Sequence, residues 1–319
     1  MTKKVLVTAT NYSLYCGEAN KLFEKNGFEV VENKFGRPYS FAELKAVIPS
    51  IDAVVAGVDT WDESVFQIAP KLKIIARFGV GIDNIDLKAA KLHHILVTNA
   101  KGQNASSVAD QAVAFMLSML RNIPHLNSSV REGAWERFVG NNLDRKEIGL
   151  LGFGDIARHV AKRLSGFDVK IRAYDKYPNM DAAQKLHVEI CSLEEVLEKS
   201  DIVSLHLPNL PETHHIMNQH TFSMMKDGAY FLNTARGALV DERALTEALQ
   251  SHKLKMAAID VYEEEPVKKG NPLLGLNNLI CTPHTCGDTY ETYHSIGLTT
   301  ATAVIDCFNG STPKNLLNF

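Results

Sequence analysis

Short runs of β-branched and small apolar residues alternate with stretches of helical spacing along this chain, in two successive series. The first series has strand-like runs at Val5–Thr8, Val30–Val31, Ala53–Ala56, Ile74–Ala76 and Ile95–Thr98. Helical spacing fills the intervals near Glu18–Lys25, Phe41–Ile48, Glu63–Ile68 and Asp86–Leu92. The second series has runs at Ile148–Leu151, Val169–Tyr174, Ile202–Leu207, Tyr230–Asn233, Ala257–Asp260 and Leu279–Thr282. Strands joined through helices run parallel, and a parallel sheet has to be covered on both faces. The pattern therefore predicts an α/β fold with two Rossmann-like, doubly wound domains, and 319 residues suit two domains better than one.

Three segments stand outside this rhythm. In Asn104–Leu120, one apolar stripe runs through Val108, Ala112, Phe115 and Met119, and a second through Ala109, Val113, Met116 and Leu120. A helix apolar on two stripes is buried from two sides, so this one is expected between two domains or at a subunit interface. Residues 121–145 are polar, carry Pro124, Gly133 and Gly140, and read as an excursion before the second sheet. A last helix is expected over Tyr290–Phe308. Asp241, ahead of Ala244, Leu245, Ala248 and Leu249, reads as a helix N-cap.

Composition narrows the function classes. A net charge of -3 with a pI near 6.5 offers no basic surface for nucleic acid or an anionic membrane. No apolar run approaches the roughly 18 residues that span a bilayer. The run Val5–Val7 is too short for a signal-peptide core. Five cysteines at irregular spacing argue against both a disulfide framework and a zinc site. A reduced, cytoplasmic protein is expected, with no metal, nucleic-acid or membrane partner.

Gly152-Phe153-Gly154-Asp155-Ile156-Ala157 follows the strand Ile148–Leu151 and opens a helix, the context a G-x-G-x-x-G/A dinucleotide motif requires. The first glycine allows the tight turn, the second lets backbone approach a pyrophosphate, and the small third residue lets helix and strand pack closely. Asp175 lies 18 residues after Ala157, at the end of the next strand. A carboxylate there accepts from ribose hydroxyls and repels a 2′-phosphate, which favours NAD over NADP. The following Lys176 weakens that preference slightly.

Polar residues collect at the carboxyl ends of the second set of strands: Asp175, His206, Asn233 to Arg236, Asp260, and Thr282 to His284. Ligands of open α/β sheets bind at that edge. Asn233-Thr234-Ala235-Arg236-Gly237, Asp260-Val261-Tyr262-Glu263-Glu264-Glu265-Pro266 and Thr282-Pro283-His284 resemble the signatures of the D-isomer-specific 2-hydroxyacid dehydrogenase family. Ser204-Leu205-His206-Leu207-Pro208 matches as well, and Arg77-Phe78-Gly79-Val80-Gly81-Ile82-Asp83-Asn84-Ile85-Asp86 resembles that family's substrate loop. The resemblance runs from about Ile51 to Gly287 and is strongest to phosphoglycerate dehydrogenase-like members without a regulatory domain.

The resemblance implies a flavodoxin-like substrate domain from residues 1–100 and 287–319, an NAD-binding Rossmann domain from 101–286, and a homodimer. It makes Arg236, Glu265 and His284 the catalytic residues. It places Gly152, Gly154, Asp155, Ile156, Asp175, His206, Pro208, Thr213, Thr234, Ala235, Arg236, Asp260, His284 and Gly287 at the cofactor. Val80, Gly81, Asn104 and Arg236 fall to the substrate. The chemistry agrees. A guanidinium is a planar fork of donors for the carboxylate and ketone of a 2-oxo acid. An imidazole can protonate the carbonyl oxygen as hydride arrives, with a carboxylate orienting the ring. Any one of the three alone would be read as a surface residue. Asn104 is equally readable as an N-cap. Glu263 and Glu264, the pairs His93-His94 and His214-His215, and Cys286 are expected to be solvated or inert.

Departures from the family pattern are few. Ala157 replaces a third glycine, Asp110 stands where glutamate is usual, and Gln111 follows where histidine or leucine is common. Ala56-Gly57-Val58-Asp59-Thr60 lacks the arginine that phosphate-binding members carry, and Asp59 would repel a phosphate, although Arg77 is available. Hydroxypyruvate, glyoxylate and branched 2-oxo acids such as 2-oxoisocaproate are therefore alternative substrates. With the sequence ending at Phe319, feedback control by a bound amino acid is not expected. Two rivals share the fold. An NAD-sensing corepressor would want a peptide groove and long tails, and formate dehydrogenase pairs its histidine with glutamine where this chain has Glu265.

Overall fold

The computed structural model describes residues 2–318. These fall into two compact units, one from Met1–Asn104 with Asp288–Phe319 and the other from Ala105–Gly287. Among the described residues no helix is long and apolar enough to cross a membrane.

The first unit holds strands β1 (Lys3–Val7), β2 (Phe28–Glu32), β3 (Ala53–Ala56), β4 (Ile74–Arg77) and β5 (Leu96–Thr98). All pair in parallel, in the order β2-β1-β3-β4-β5. That is the flavodoxin-like order. Successive strand residues feed opposite faces, as the pleat demands. Val5, Val7, Val55 and Ala76 join one core, while Leu6, Val54, Ala56 and Ile75 join the other. Helices Gly17–Lys25 and Tyr290–Phe308 cover the first face with Ala19, Phe23, Ala301 and Val304.

The second unit holds β6 (Glu147–Leu151), β7 (Lys170–Tyr174), β8 (Val188–Ile190), β9 (Ile202–Leu205), β10 (Ala229–Asn233), β11 (Leu254–Ile259) and β12 (Leu279–Cys281). Their order is β12-β11-β10-β9-β6-β7-β8, again parallel throughout. This is the Rossmann order with one further strand, and its topological switch lies between β6 and β9. The edge strand β8 has no counterpart in the sequence reading.

Two expectations are corrected here. The helix Ala105–Arg121 buries both its stripes inside its own unit, against helix Asp155–Leu164 and beside β10 and β11. Its double pattern therefore needs no subunit interface. The supposed excursion contains a helix, Ile123–Arg131, in which Pro124 sits in the first turn. The N–H that proline lacks would be unpaired there anyway, so it starts the helix.

Candidate active site

The switch point is built by glycine. Gly152 has φ of 97°, and a Cβ on it would lie 2.7 Å from the carbonyl carbon and oxygen of His206. The ends of β6 and β9 thus meet at a distance only glycine allows. Around Gly154, by contrast, a Cβ would find open space. Gly154 caps the helix Asp155–Leu164, so unpaired N–H groups of the first turn face that space. Ala157 is buried where the helix meets the sheet. The Asp155 side chain turns back to pair with Arg158 on its own helix. Asp175 accepts from the Phe153 N–H at 2.7 Å and the Tyr177 N–H at 2.8 Å, one bond on each oxygen. Each oxygen keeps a second lone pair for a hydroxyl donor.

At the same edge Nδ1 of His206 and Oγ1 of Thr234 are buried polar atoms with no hydrogen-bond partner among the described residues. Burial pushes the His206 ring down to about 4, so it is neutral at physiological pH, and its Nε2 meets Ser204 Oγ at 2.9 Å. An unsatisfied buried group costs about 1–3 kcal/mol, and a dinucleotide laid across this edge would offer partners. The residues present fit one. The Thr213 hydroxyl donates to the Pro208 carbonyl at 2.7 Å and closes the 208–213 turn.

The Arg236 loop is shaped by Asn233, whose Nδ2 donates to the Arg236 carbonyl at 2.8 Å while its Oδ1 accepts from the Ala235 N–H at 3.0 Å. Arg236 is half-buried, with Nη1 on the Ala235 carbonyl. Asp260 is buried at the end of β11 and its carboxylate gathers the 282–286 segment. It accepts from Thr282 Oγ1 at 2.5 Å and from the Thr285 and Cys286 N–H groups, both at 2.9 Å. Three of its roughly four lone-pair positions are thereby used. The His284 N–H adds a bond to the Asp260 carbonyl, which holds His284 in the left-handed region at φ of 58°.

That scaffold puts His284 beside Glu265. Nδ1 of His284 lies 2.7 Å from Oε2 of Glu265, and Oε1 of Glu265 accepts from the Tyr262 N–H at 3.0 Å. Partial burial works against ionisation of Glu265. The bonds from His284 and Tyr262, with the charges of His284 and Arg236, together outweigh it and hold the carboxyl below its ordinary range. An ionised carboxylate only accepts, so Nδ1 carries the proton and Nε2 is left to face a reactant.

Several supporting residues escaped the sequence reading. A Cβ on Gly237 would lie 1.9 Å from the Tyr262 carbonyl, so the Arg236 loop and the 260–265 segment touch through bare backbone. Glu242 accepts from the Glu263 N–H at 2.8 Å. His215 and Glu263, expected to be solvated, meet at 2.7 Å, and His93 meets Glu63 at 3.0 Å. Asp241 caps its helix through the Arg243 and Ala244 N–H groups, as expected.

Val80, Gly81 and Asn104 belong to the other unit. There the Gly79 carbonyl accepts from the Ala100 N–H at 2.9 Å, and the Val80 carbonyl from Asn99 Nδ2 at 2.8 Å. In a trans peptide the next N–H points the opposite way, so the Val80 and Gly81 N–H groups each point away from the Asn99–Ala100 segment. Asp59, expected to repel a phosphate, is turned away from solvent. It is buried, accepts from the Tyr39 N–H at 2.5 Å, and burial raises its carboxyl above the ordinary range despite its hydrogen bonds and Arg77.

Fold, switch point and polar edge define a dinucleotide-binding α/β protein with a paired acid and base beside the cofactor edge. Residues 113–286 match the family model for the D-isomer specific 2-hydroxyacid dehydrogenase, NAD binding domain. The chain belongs to this family, and its cofactor is NAD. It is 40% identical over 304 residues to a D-3-phosphoglycerate dehydrogenase of Archaeoglobus fulgidus, covering 94% of this chain but 57% of that relative, less than two thirds. It is 40% identical over 262 residues to a hydroxypyruvate reductase of Thermotoga maritima, covering 80% of this chain and 84% of the other. The apo-structure of D-lactate dehydrogenase from Escherichia coli superposes with a TM-score of 0.88 at 30% identity, covering 99% of both chains.

Proposed function

We propose that this protein is an NAD-dependent dehydrogenase of D-2-hydroxy acids that reduces a small 2-oxo acid. The observation that carries the reading is the 2.7 Å bond between His284 and Glu265 on the same sheet edge as Arg236. Bound there, NADH supplies the hydride that reduces the carbonyl carbon. The Arg236 guanidinium holds the substrate carboxylate and keeps the ketone in one orientation. His284 gives its Nε2 proton to the carbonyl oxygen as negative charge develops there. Glu265 steadies the imidazolium before the transfer and keeps the ring from turning. Cofactor binding is assigned to residues 101–286 and substrate recognition to 1–100 with 287–319. In the latter, the Val80 and Gly81 N–H groups receive an anionic group, and Asn104 stands directly before the helix Ala105–Arg121.

The substrate class is tested by following NADH oxidation with hydroxypyruvate, phosphohydroxypyruvate, glyoxylate, pyruvate and 2-oxoisocaproate. Turnover of at least one is expected, and no acceleration by any of them would sink the reading. With the best substrate, Arg236→Ala is expected to raise KM by about 100-fold, the worth of a charge-assisted pair near 3 kcal/mol. NADH affinity should stay within a few-fold, and unchanged KM would remove Arg236 from the site.

A homodimer is also proposed, through the segment after the long helix. Ile123, Val130, Trp135 and Val139 expose apolar surface there, with Trp135 76% and Val139 94% accessible. A second copy would cover it. Light scattering should report a dimer for the native protein and a monomer for Trp135→Glu with Val139→Glu; a monomeric native protein would overturn this reading. The five cysteines are free, which supports a reducing compartment such as the cytoplasm.

A further inference from the structure

One peptide group beside the acid–base pair, that joining Tyr262 to Glu263, is gripped from two sides. On one side the α-carbon of Gly237 lies so close that a Cβ would sit 1.9 Å from the Tyr262 carbonyl. On the other side the Glu263 N–H donates to Oε1 of Glu242 at 2.8 Å. The other Glu242 oxygen accepts from Asn271 Nδ2 at 2.7 Å, and Asn271 is itself fixed by the Leu273 N–H on its Oδ1 at 2.9 Å. The grip is reciprocal. The backbone N–H of Glu242 faces Oε1 of Glu263 at 3.4 Å, and His215 meets that same oxygen at 2.7 Å.

The neighbouring N–H is that of Tyr262, which holds Oε1 of Glu265 and so turns Oε2 toward His284. We propose that Glu242 is a positioning residue for the Glu265–His284 pair, acting through the Tyr262–Glu263 peptide and touching no reactant. The proposal rests on the reading of that pair as the proton-transfer unit. Glu242 opens the helix Glu242–Gln250, which packs on β11, so the clamp is rooted in the same sheet that carries Asp260. The geometry of proton donation is thereby tied to the core.

The test uses the full chain and the 2-oxo acid turned over fastest. Glu242→Ala is expected to lower kcat by about 10- to 100-fold, the scale on which an ångström of misplacement acts. KM for the oxo acid and the dissociation constant for NADH should both stay within about threefold, as they depend on Arg236 and the glycine turn. Glu242→Gln keeps an acceptor for the Glu263 N–H and should recover most of the lost kcat. In a Glu265→Gln background, Glu242→Ala should cost no further activity, because its route of action is already cut. An additive loss, or one shared equally by kcat, KM and NADH binding, would overturn the proposal in favour of a general structural role. So would a full kcat in Glu242→Ala. If that variant does not fold, the Gln variant carries the test, and its failure to exceed the Glu265→Gln rate would likewise overturn it. If Glu265→Gln alone leaves kcat intact, the proton-transfer reading fails instead.

Discussion

His284→Ala is expected to lower turnover of the best 2-oxo acid by about 10²- to 10⁴-fold, the range supplied by a positioned proton donor. The loss should hold at every pH, since among the described residues no other imidazole shares the bond to Glu265. NADH binding, followed by fluorescence, should persist, because the glycine turn, Asp175 and His206 lie on other strands. A variant that keeps the native pH optimum would move the proton to another group. The partner gives a second reading of the same change. Glu265 is held below the ordinary carboxylate range, with the His284 bond foremost among the favourable contacts. A depressed folded value means that the pairing stabilises the protein above the unfolded carboxyl range and is lost as pH falls through the depressed value. Without His284 that window narrows. The acid limb of a stability profile should therefore move to higher pH in the variant.

Gly237→Ala is the second large effect, and its origin is steric. The added methyl would stand 1.9 Å from the Tyr262 carbonyl carbon and oxygen and 2.5 Å from the Glu263 nitrogen. These are backbone atoms of a segment held by Glu242 at the Glu263 N–H and by Glu265 at the Tyr262 N–H, so neither side can yield without displacing the acid-bearing segment. Overpacking of a filled site costs about 1–3 kcal/mol and occasionally more; backbone on both sides places this change near the upper end. Activity should fall by more than about 100-fold with a lower thermal midpoint, the misplacement reaching both Arg236 and Glu265. Gly154→Ala is the contrast. Its methyl meets nothing within 4 Å, so the fold should be kept while NADH binding weakens. A stable, active Gly237→Ala protein would contradict the contact.

The strands were legible because each β-run carries apolar residues on both faces, as a doubly covered parallel sheet requires. The edge strand Val188–Ile190 was not, since its exposed middle residue, Glu189, and short length leave no pattern to read. The helix Ile123–Arg131 was not legible inside the polar 121–145 stretch, because composition alone does not say on which side of Pro124 a helix lies. Arg236, Glu265 and His284 were legible as motif residues. Their support was not. Glu242 grips a peptide 21 residues away, and Asp59 is drawn inward by the N–H of Tyr39, 20 residues before it. A turn-like string such as Gly57-Val58-Asp59 carries no sign of that burial. Local pattern records which faces are apolar, whereas hydrogen bonds between distant loops are set only once the sheets have brought them together.

The path of the chain has a consequence for synthesis. Residues 105–287 interrupt the sequence of the first unit, one face of whose sheet is finished by Ala301 and Val304 and whose β5 edge is finished by Asn318, hydrogen-bonded to Val97 and Ile95. At ribosomal speeds of roughly 5–20 residues per second, the amino-terminal sheet waits on the order of 10–40 s for that cover. The nucleotide-binding unit is contiguous and can fold within this interval. The sheet made first is the last to be sealed, and an apolar surface stays open to chaperones for the whole delay, an interval that proteolysis of stalled nascent chains would read directly.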